Sequence, residues 1–128
     1  LGEQQPEVDH RLKEEKSARG VHHGQSWREA ENGGYFSFEL QTAKKEDLSL
    51  LITYWGYESG NRDFDILVDG QLLATEKLGG KWNQSKFFDV SYEIPKAYLK
   101  DAAFVTVKFV PHEGHRAGRV FRVRLVED

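Results

Sequence analysis

The tightest constraint on this chain is a hairpin. Phe64-Asp65-Ile66-Leu67-Val68 leads into Asp69-Gly70, and Leu72-Leu73-Ala74-Thr75 follows, so two apolar-rich runs flank an Asp-Gly pair. Such a pair takes positive backbone angles at little cost, and the type I′ turn it forms has the twist of the strands on either side. Two antiparallel strands in a fixed register follow from this. Immediately upstream, Gly56-Tyr57-Glu58-Ser59-Gly60-Asn61 is a polar, glycine-bearing loop between Trp55 and Arg62. A loop held up by a rigid scaffold is where function usually sits.

Alternation of apolar and polar residues extends the pattern in both directions. Tyr35 to Leu40 sets Phe36, Phe38 and Leu40 on one face. Leu48 to Trp55 turns Leu48, Leu50, Ile52 and Tyr54 to the core and leaves Leu51 and Trp55 on the other face, partly exposed unless a side loop or an adjoining domain covers them. Phe87 to Ile94 sends Phe88, Val90, Tyr92 and Ile94 inward before Pro95 stops it, and residues 95–101 fit one turn of helix. Ala103, Val105, Val107 and Phe109 share a face up to Pro111, and His112 to Gly118 reads as a loop. Val120 to Val126 closes the domain with Phe121, Val123 and Leu125 inward. Near the start, the charged stretch Val8 to Arg19 reads as an edge strand protected by its lysines and glutamates and ended by Gly20. His22 to Gly34 reads as a loop with one helical turn at Trp27 to Glu31. About eight strands with turn signals between them and no crossover helices give an all-β fold, an antiparallel two-sheet jelly-roll β-sandwich. Residues 9–128 are expected to form that single domain, and residues 1–8 a tail or linker.

Composition narrows the function. At 128 residues the chain suits one domain around one core. Its net charge is −3, with 21 acidic against 18 basic residues, so nothing suggests the basic face that a nucleic-acid backbone requires. With no cysteine there is no disulfide framework, thiolate metal site or cysteine nucleophile. No apolar run approaches the ~20 residues that span a bilayer, and the first residues lack the apolar core of a signal peptide. Neither nucleic acid nor membrane is therefore expected as a partner. Methionine is absent even from the first position, which suggests a processed or excised piece of a longer protein.

Catalytic patterns fail on inspection. His112-Glu113-Gly114-His115 has its histidines three apart, with Pro111 before them and Gly114 between them, whereas a zinc-protease signature needs them four apart on one helix face. His22-His23 with His112 or His115 would hold a metal only if their loops met at one end of the sandwich. Asp63 and Asp65 share a strand face by two-residue alternation and so project in parallel, which does not set two carboxylates on opposite sides of a glycosidic bond. Calcium is plausible in sandwiches of this type, because oxygen ligands can come from loops, yet no loop here gathers enough carboxylates to predict it, and no cofactor is expected. What remains is a binding-type set: Trp27, Trp55, Tyr57 and Trp82, with Arg28, Asn61, Arg62 and His115 in or beside loops. Sugar rings stack on aromatic faces while their hydroxyls bond planar polar side chains, so the mixture suits carbohydrate. Tryptophans of a small sandwich also serve as core or interdomain contacts.

Taken together, "SWREAENGGYFSFEL", "LITYWGYESGNRDFDILVDGQLLATEKL", "FFDVSYEIPKAYL" and "VTVKFVPHEGHRAGRVFRVRL" resemble the C-terminal sandwich domain of bacterial glycoside hydrolases of the β-L-arabinofuranosidase family. The resemblance runs from about Asp9 to Val126. A shorter echo of the hairpin occurs in malectin-like and other galactose-binding-like sandwiches, which implies the same fold class. The family's chemistry resides in a separate helical-barrel domain with a glutamate and a zinc-bound cysteine; this chain has neither the cysteine nor the helical repeats, so no catalytic residue carries over. The resemblance implies a non-catalytic accessory domain, with the parent's catalytic domain and a plant-type polysaccharide or oligosaccharide as partners, in an extracytoplasmic (periplasmic or secreted) setting. The alternative is a purely structural interdomain or dimerisation module, docking through the Leu51 and Trp55 face.

Overall fold

The structure is a computed structural model that describes residues 7, 9–45, 47–58, 60–99 and 102–127. The elements, in order among the described residues, are nine strands and a helical turn after the sixth: β1 (Lys13–His22), β2 (Gln25–Gln41), β3 (Leu48–Trp55), β4 (Asp63–Val68), β5 (Gln71–Lys77), β6 (Phe87–Glu93), α1 (Lys96–Leu99), β7 (Phe104–Pro111), β8 (Ala117–Val120) and β9 (Arg122–Glu127). They form two antiparallel sheets, β1-β2-β7-β4-β5 with β8 paired to β2, and β6-β3-β9. The expected β-sandwich is present, with a strand more than the sequence suggested.

The Asp69-Gly70 hairpin forms as expected, with φ of 48° and 80° at the two turn residues. Val68 pairs with Gln71 across the turn, and the Asp69 side chain fastens it to the neighbouring strand by accepting from the Thr106 N–H at 2.8 Å. The alternating runs supply the core. Phe36, Phe38, Leu50, Ile52, Tyr54, Phe64, Ile66, Val105, Val107 and Phe109 are all buried between the sheets. Phe36 and Phe109 are register partners on β2 and β7, and their rings stack at 4.8 Å, so one cross-strand pair joins sheet pairing to core packing.

The first third of the chain keeps the expected edge strand, as β1, but otherwise departs from expectation. Residues 22–34 hold no helical turn; they belong to a second hairpin, whose His23-Gly24 turn again has positive φ at both positions (49° and 77°). Gly20 does not end β1. It lies mid-strand opposite Trp27, and a Cβ there would sit 2.4 Å from the indole, so glycine is required by the ring that packs across it. The Gly33-Gly34 pair marks a bulge inside β2, where the register jumps from Glu15↔Tyr35 to Ser17↔Ala30. The last expected strand is two. The chain leaves the larger sheet after β8, passes through buried Phe121, whose N–H donates to Thr53 O at 2.9 Å, and enters the smaller sheet as β9.

Two polar closures complete the packing. Tyr54 OH lies 2.8 Å from Tyr92 OH, which donates to Glu76 Oε2 at 2.6 Å, while Lys81 Nζ bonds Glu76 Oε1 at 2.5 Å. This chain of bonds links β3 and β6 of one sheet to β5 of the other. On the far side, Arg28 stands on the inner face of β2, where Nε and Nη2 make a two-pronged pair with Glu7 at 2.5 and 2.9 Å. Glu14 is 2.9 Å from Nη1, and Ser17 Oγ also accepts from it. Glu7, within the stretch read as a tail, is thus buried against the domain; the other residues of 1–8 lie outside those described, as do 100 and 101 of the expected helical turn. Arg28→Ala is expected to cost about 3–5 kcal/mol in urea unfolding, because it strands buried carboxylate. Glu7→Leu combined with Arg28→Met should cost much less; equal losses would rule out charge pairing as the source of the effect.

Candidate functional site

Four connections meet at one end of the sandwich. Residues 56–62 join β3 to β4, residues 78–86 join β5 to β6, residues 112–116 join β7 to β8, and His23-Gly24 turns β1 into β2. Backbone bonds lace three of them together: Arg116 N–H donates to Asn61 O at 2.8 Å, His112 N–H to Asp63 O at 2.9 Å, Gly80 N–H to Glu58 O at 3.0 Å, and Leu78 N–H to Arg62 O at 3.2 Å. Side chains add to the lacing. His115 Nδ1 accepts from the Asp63 N–H at 3.2 Å, and Asn32 Oδ1 from the Gly114 N–H at 3.0 Å. Between the β3–β4 and β7–β8 connections lies a cleft of about 250 Å³, lined by Gly60, Asn61, Arg62, Gly114 and Arg116. Tyr57, on the first of these connections, is 59% exposed.

A buried ionic cluster backs the cleft. Glu29 of β2 receives Arg62 Nη1 at 3.2 Å and Arg116 Nη1 at 3.3 Å on one oxygen, and Arg119 Nε lies 3.6 Å from the other. Arg62 Nη1 also donates to Gly118 O at 3.2 Å. The Arg119 guanidinium lies 4.5 Å from the centre of the Trp27 ring, a cation–π contact. Glu58 joins from the β3–β4 connection. It is 7% exposed, and its Oε2 has no hydrogen-bond partner among the described residues; nor has Arg119 Nε. Burial raises the Glu58 carboxyl above its ordinary range, with Arg62 and Arg119 pulling the other way and Glu29 adding to the rise.

The residues singled out in the sequence divide into three groups. Asn61 and Arg62 line the cleft, with Tyr57 on the same connection, and His115 lies on the facing connection with its ring bonded to the Asp63 N–H. Trp27 lies under Arg119 at the edge of the cluster. Arg28, Trp55 and Trp82 pack elsewhere. Arg28 is paired with Glu7, and Trp82 stacks on Phe88 at 4.4 Å. Trp55, expected to be partly exposed on the open sheet face unless a side loop or an adjoining domain covers it, is covered and 7% exposed: His23 stacks on it at 4.6 Å, with His22 and Phe87 against its edges. The turn that the sequence reading missed is what covers this tryptophan. His22 and His23 thus sit on Trp55, while His112 Nε2 is 2.7 Å from Asp65 Oδ1, and no metal-holding group of three His, Asp or Glu side chains occurs among the described residues. Asp65 also accepts from Thr75 at 2.8 Å. Burial tends to raise its carboxyl, but the bonds from His112 and Thr75 win and hold it below the ordinary value.

Glu29, Glu58, Arg116 and Arg119 were not anticipated. Their one legible signal is the density of arginine in "HRAGRVFR" close to a domain end; nothing in the alternation shows that Arg28 and Glu29, adjacent and so pointing opposite ways, are both covered.

Two outcomes follow. Trp55→Ala should lower unfolding stability by about 3–5 kcal/mol, the usual cost of emptying a large aromatic site; a loss below about 1 kcal/mol would mean that the His22-His23 cap leaves it loosely held. Glu58 has a folded pKa above its unfolded one, so wild-type stability falls as pH rises from the unfolded value through the folded one. Glu58→Gln should therefore melt a few degrees above wild type at neutral pH, with the gap closing towards about pH 4. A gap independent of pH would exclude the buried charge as its cause.

A search of curated proteins finds no match. Among solved structures, a family 35 carbohydrate binding module from Clostridium thermocellum is similar over 91% of this chain and 92% of that one, with 12% identity and a TM-score of 0.63. The C-terminal CBM6 of LamC, from Zobellia galactanivorans, is similar over 90% and 91%, with 12% identity and a TM-score of 0.60. The exo-beta-1,3-galactanase from Phanerochaete chrysosporium, in a structure with beta-1,3-galactotriose, is matched over 91% of this chain but 27% of the galactanase, at 11% identity and a TM-score of 0.61. What is shared at these identities is the fold. The model of a family of unknown function (DUF6805) matches residues 1–126, and the chain belongs to that family.

Proposed function

We propose that this domain is a non-catalytic carbohydrate-binding module, an accessory of an extracytoplasmic glycoside hydrolase of the β-L-arabinofuranosidase type. The observation that carries this reading is the cleft at the loop end, with Asn61, Arg62 and Arg116 on its walls and the exposed ring of Tyr57 on the same connection. Planar amide and guanidinium groups hydrogen-bond sugar hydroxyls, and an exposed phenol ring offers an apolar face with a polar tip. The likeness of the fold to carbohydrate-binding modules and to part of a galactanase agrees with this. The extracytoplasmic setting and the parent enzyme rest on the family resemblance alone. The rival reading, a purely structural docking module, loses its main surface because Trp55 is capped from within the domain.

A glycan array with arabinose- and galactose-containing oligosaccharides tests the reading. Tyr57→Ala and Asn61→Ala are each expected to weaken a hit, the former by about 1–3 kcal/mol from lost ring contact. A hit indifferent to both changes would move binding away from this cleft, and silence across the array would favour the structural module.

A further inference from the structure

We propose that the outer face of the larger sheet is a self-association surface, on which a second copy of this chain packs so that Lys108 of each copy meets Asp65 of the other. None of the residues involved lines the cleft, so the face is independent of the carbohydrate reading.

The register of the sheet puts the pattern in place. Lys108 of β7 lies opposite Leu67 of β4, which lies opposite Leu72 of β5; two residues along, Val110 lies opposite Asp65. Tyr35 of β2 stands at the level of Val110, since Phe36 pairs with Phe109. These side chains point away from the core, because their chain neighbours Phe36, Phe109 and Ile66 are the buried ones. An outward sheet face is normally polar, and that of the smaller sheet is: Asp89, Ser91, Arg122 and Arg124 are exposed on it. Here Tyr35, Val110, Leu67 and Leu72 instead form an apolar stripe that crosses β2, β7, β4 and β5 diagonally and ends in Leu72, 53% exposed. Single surface hydrophobics are ordinary, whereas a connected row of them is the kind of patch that marks an interaction surface.

The flanking charges identify what covers the stripe. Lys108 and Asp65 stand on opposite sides of it, and neither is fully used within the chain. The ammonium of Lys108 lies 4.3 Å from the centre of the Tyr35 ring and has no carboxylate partner among the described residues. Asp65 lies 2.7 Å from His112 Nε2 and accepts from Thr75 at 2.8 Å, but both contacts fall on Oδ1, and Oδ2 receives none among the described residues. With neighbouring strands about 4.8 Å apart and alternate residues about 6.8 Å apart along each strand, Lys108 and Asp65 are mirror images about a line that passes within about 1.5 Å of all four apolar positions. A two-fold axis along that line turns a second copy face down, lays its stripe on the first and sets a lysine over an aspartate twice. An unrelated partner would have to supply this pattern anew; a second copy already carries it. Charges placed in this way fix the docking register more than they add affinity, so the expected dimer is weak and reversible.

Sedimentation velocity on the 128-residue chain, from micromolar to millimolar concentration, tests this. The expected result is a dimer in reversible exchange with monomer. Lys108→Glu, which sets two carboxylates face to face, and Leu72→Ser, at the exposed end of the stripe, should each weaken it at least tenfold. Lys108→Glu and Asp65→Lys chains, each monomeric alone, should dimerise when mixed, because each supplies the charge that the other lacks. A chain that stays monomeric throughout overturns the proposal, and so does a dimer indifferent to both Lys108→Glu and Leu72→Ser. A mixture of two folded variants that fails to associate overturns the pairing of Lys108 with Asp65. If Asp65→Lys loses its fold along with its contacts to His112 and Thr75, the other two variants decide the question.

Discussion

A sheet of six strands faces a sheet of three, and this mismatch in width governs the rest of the molecule. Three strands cover the aromatic layer contributed by β2, β7 and β4, but they leave both margins of the larger sheet to be closed by other means. At one margin the Tyr54–Tyr92–Glu76–Lys81 chain bonds β5 to the smaller sheet. At the other, beyond β9, Arg28 fills the inner face and Glu7 is brought back over it. Both closures use polar groups buried with their partners, an arrangement that adds little net stability but disfavours any alternative packing in which a partner is lost. The apolar layer gives the fold its stability, and the polar margins give it one particular shape.

The loop end follows the same logic in a more charged form. Glu29 comes from β2, Arg62 from the lead into β4, and Arg116 and Arg119 from the chain on either side of the start of β8. A single carboxylate thus ties three distant stretches together. The backbone bond from Arg116 to Asn61 fixes the distance between the walls of the cleft. The cleft is therefore held by strands already committed to a sheet, so a ligand bound there would spend little of its binding free energy on ordering loops.

Much of this was legible in the sequence because the information was local. Asp69-Gly70 names its own turn, and period-two alternation names the inward residues of β3, β4, β6 and β7. The β1–β2 hairpin was hidden for a physical reason. Its turn uses His23 at a positive φ, uncommon for any residue but glycine, and its longer strand is interrupted by the Gly33-Gly34 bulge that resets the alternation. What depended on this hairpin stayed open in turn, above all which segment covers Trp55. In the candidate site, Asn61, Arg62 and His115 were visible because they flank a strong hairpin signal or sit in a loop. Glu29 and Arg119 were not, because no sequence pattern says that a carboxylate on one strand will meet an arginine ninety residues later.

The Glu7–Arg28 pair also bears on how such a domain can be moved between proteins. Sandwiches of this kind are naturally thought of as interchangeable parts whose limits are the first and last strands. Here the part is larger than its strands, since Arg28 needs a carboxylate contributed six positions before β1 begins. A recombination event that joined a new partner directly to Lys13 would keep Glu14 beside Arg28 but lose the buried, two-pronged partner Glu7. A junction upstream of Glu7 would keep that two-pronged pair whole, which makes one ion pair a criterion for where such a part could be cut.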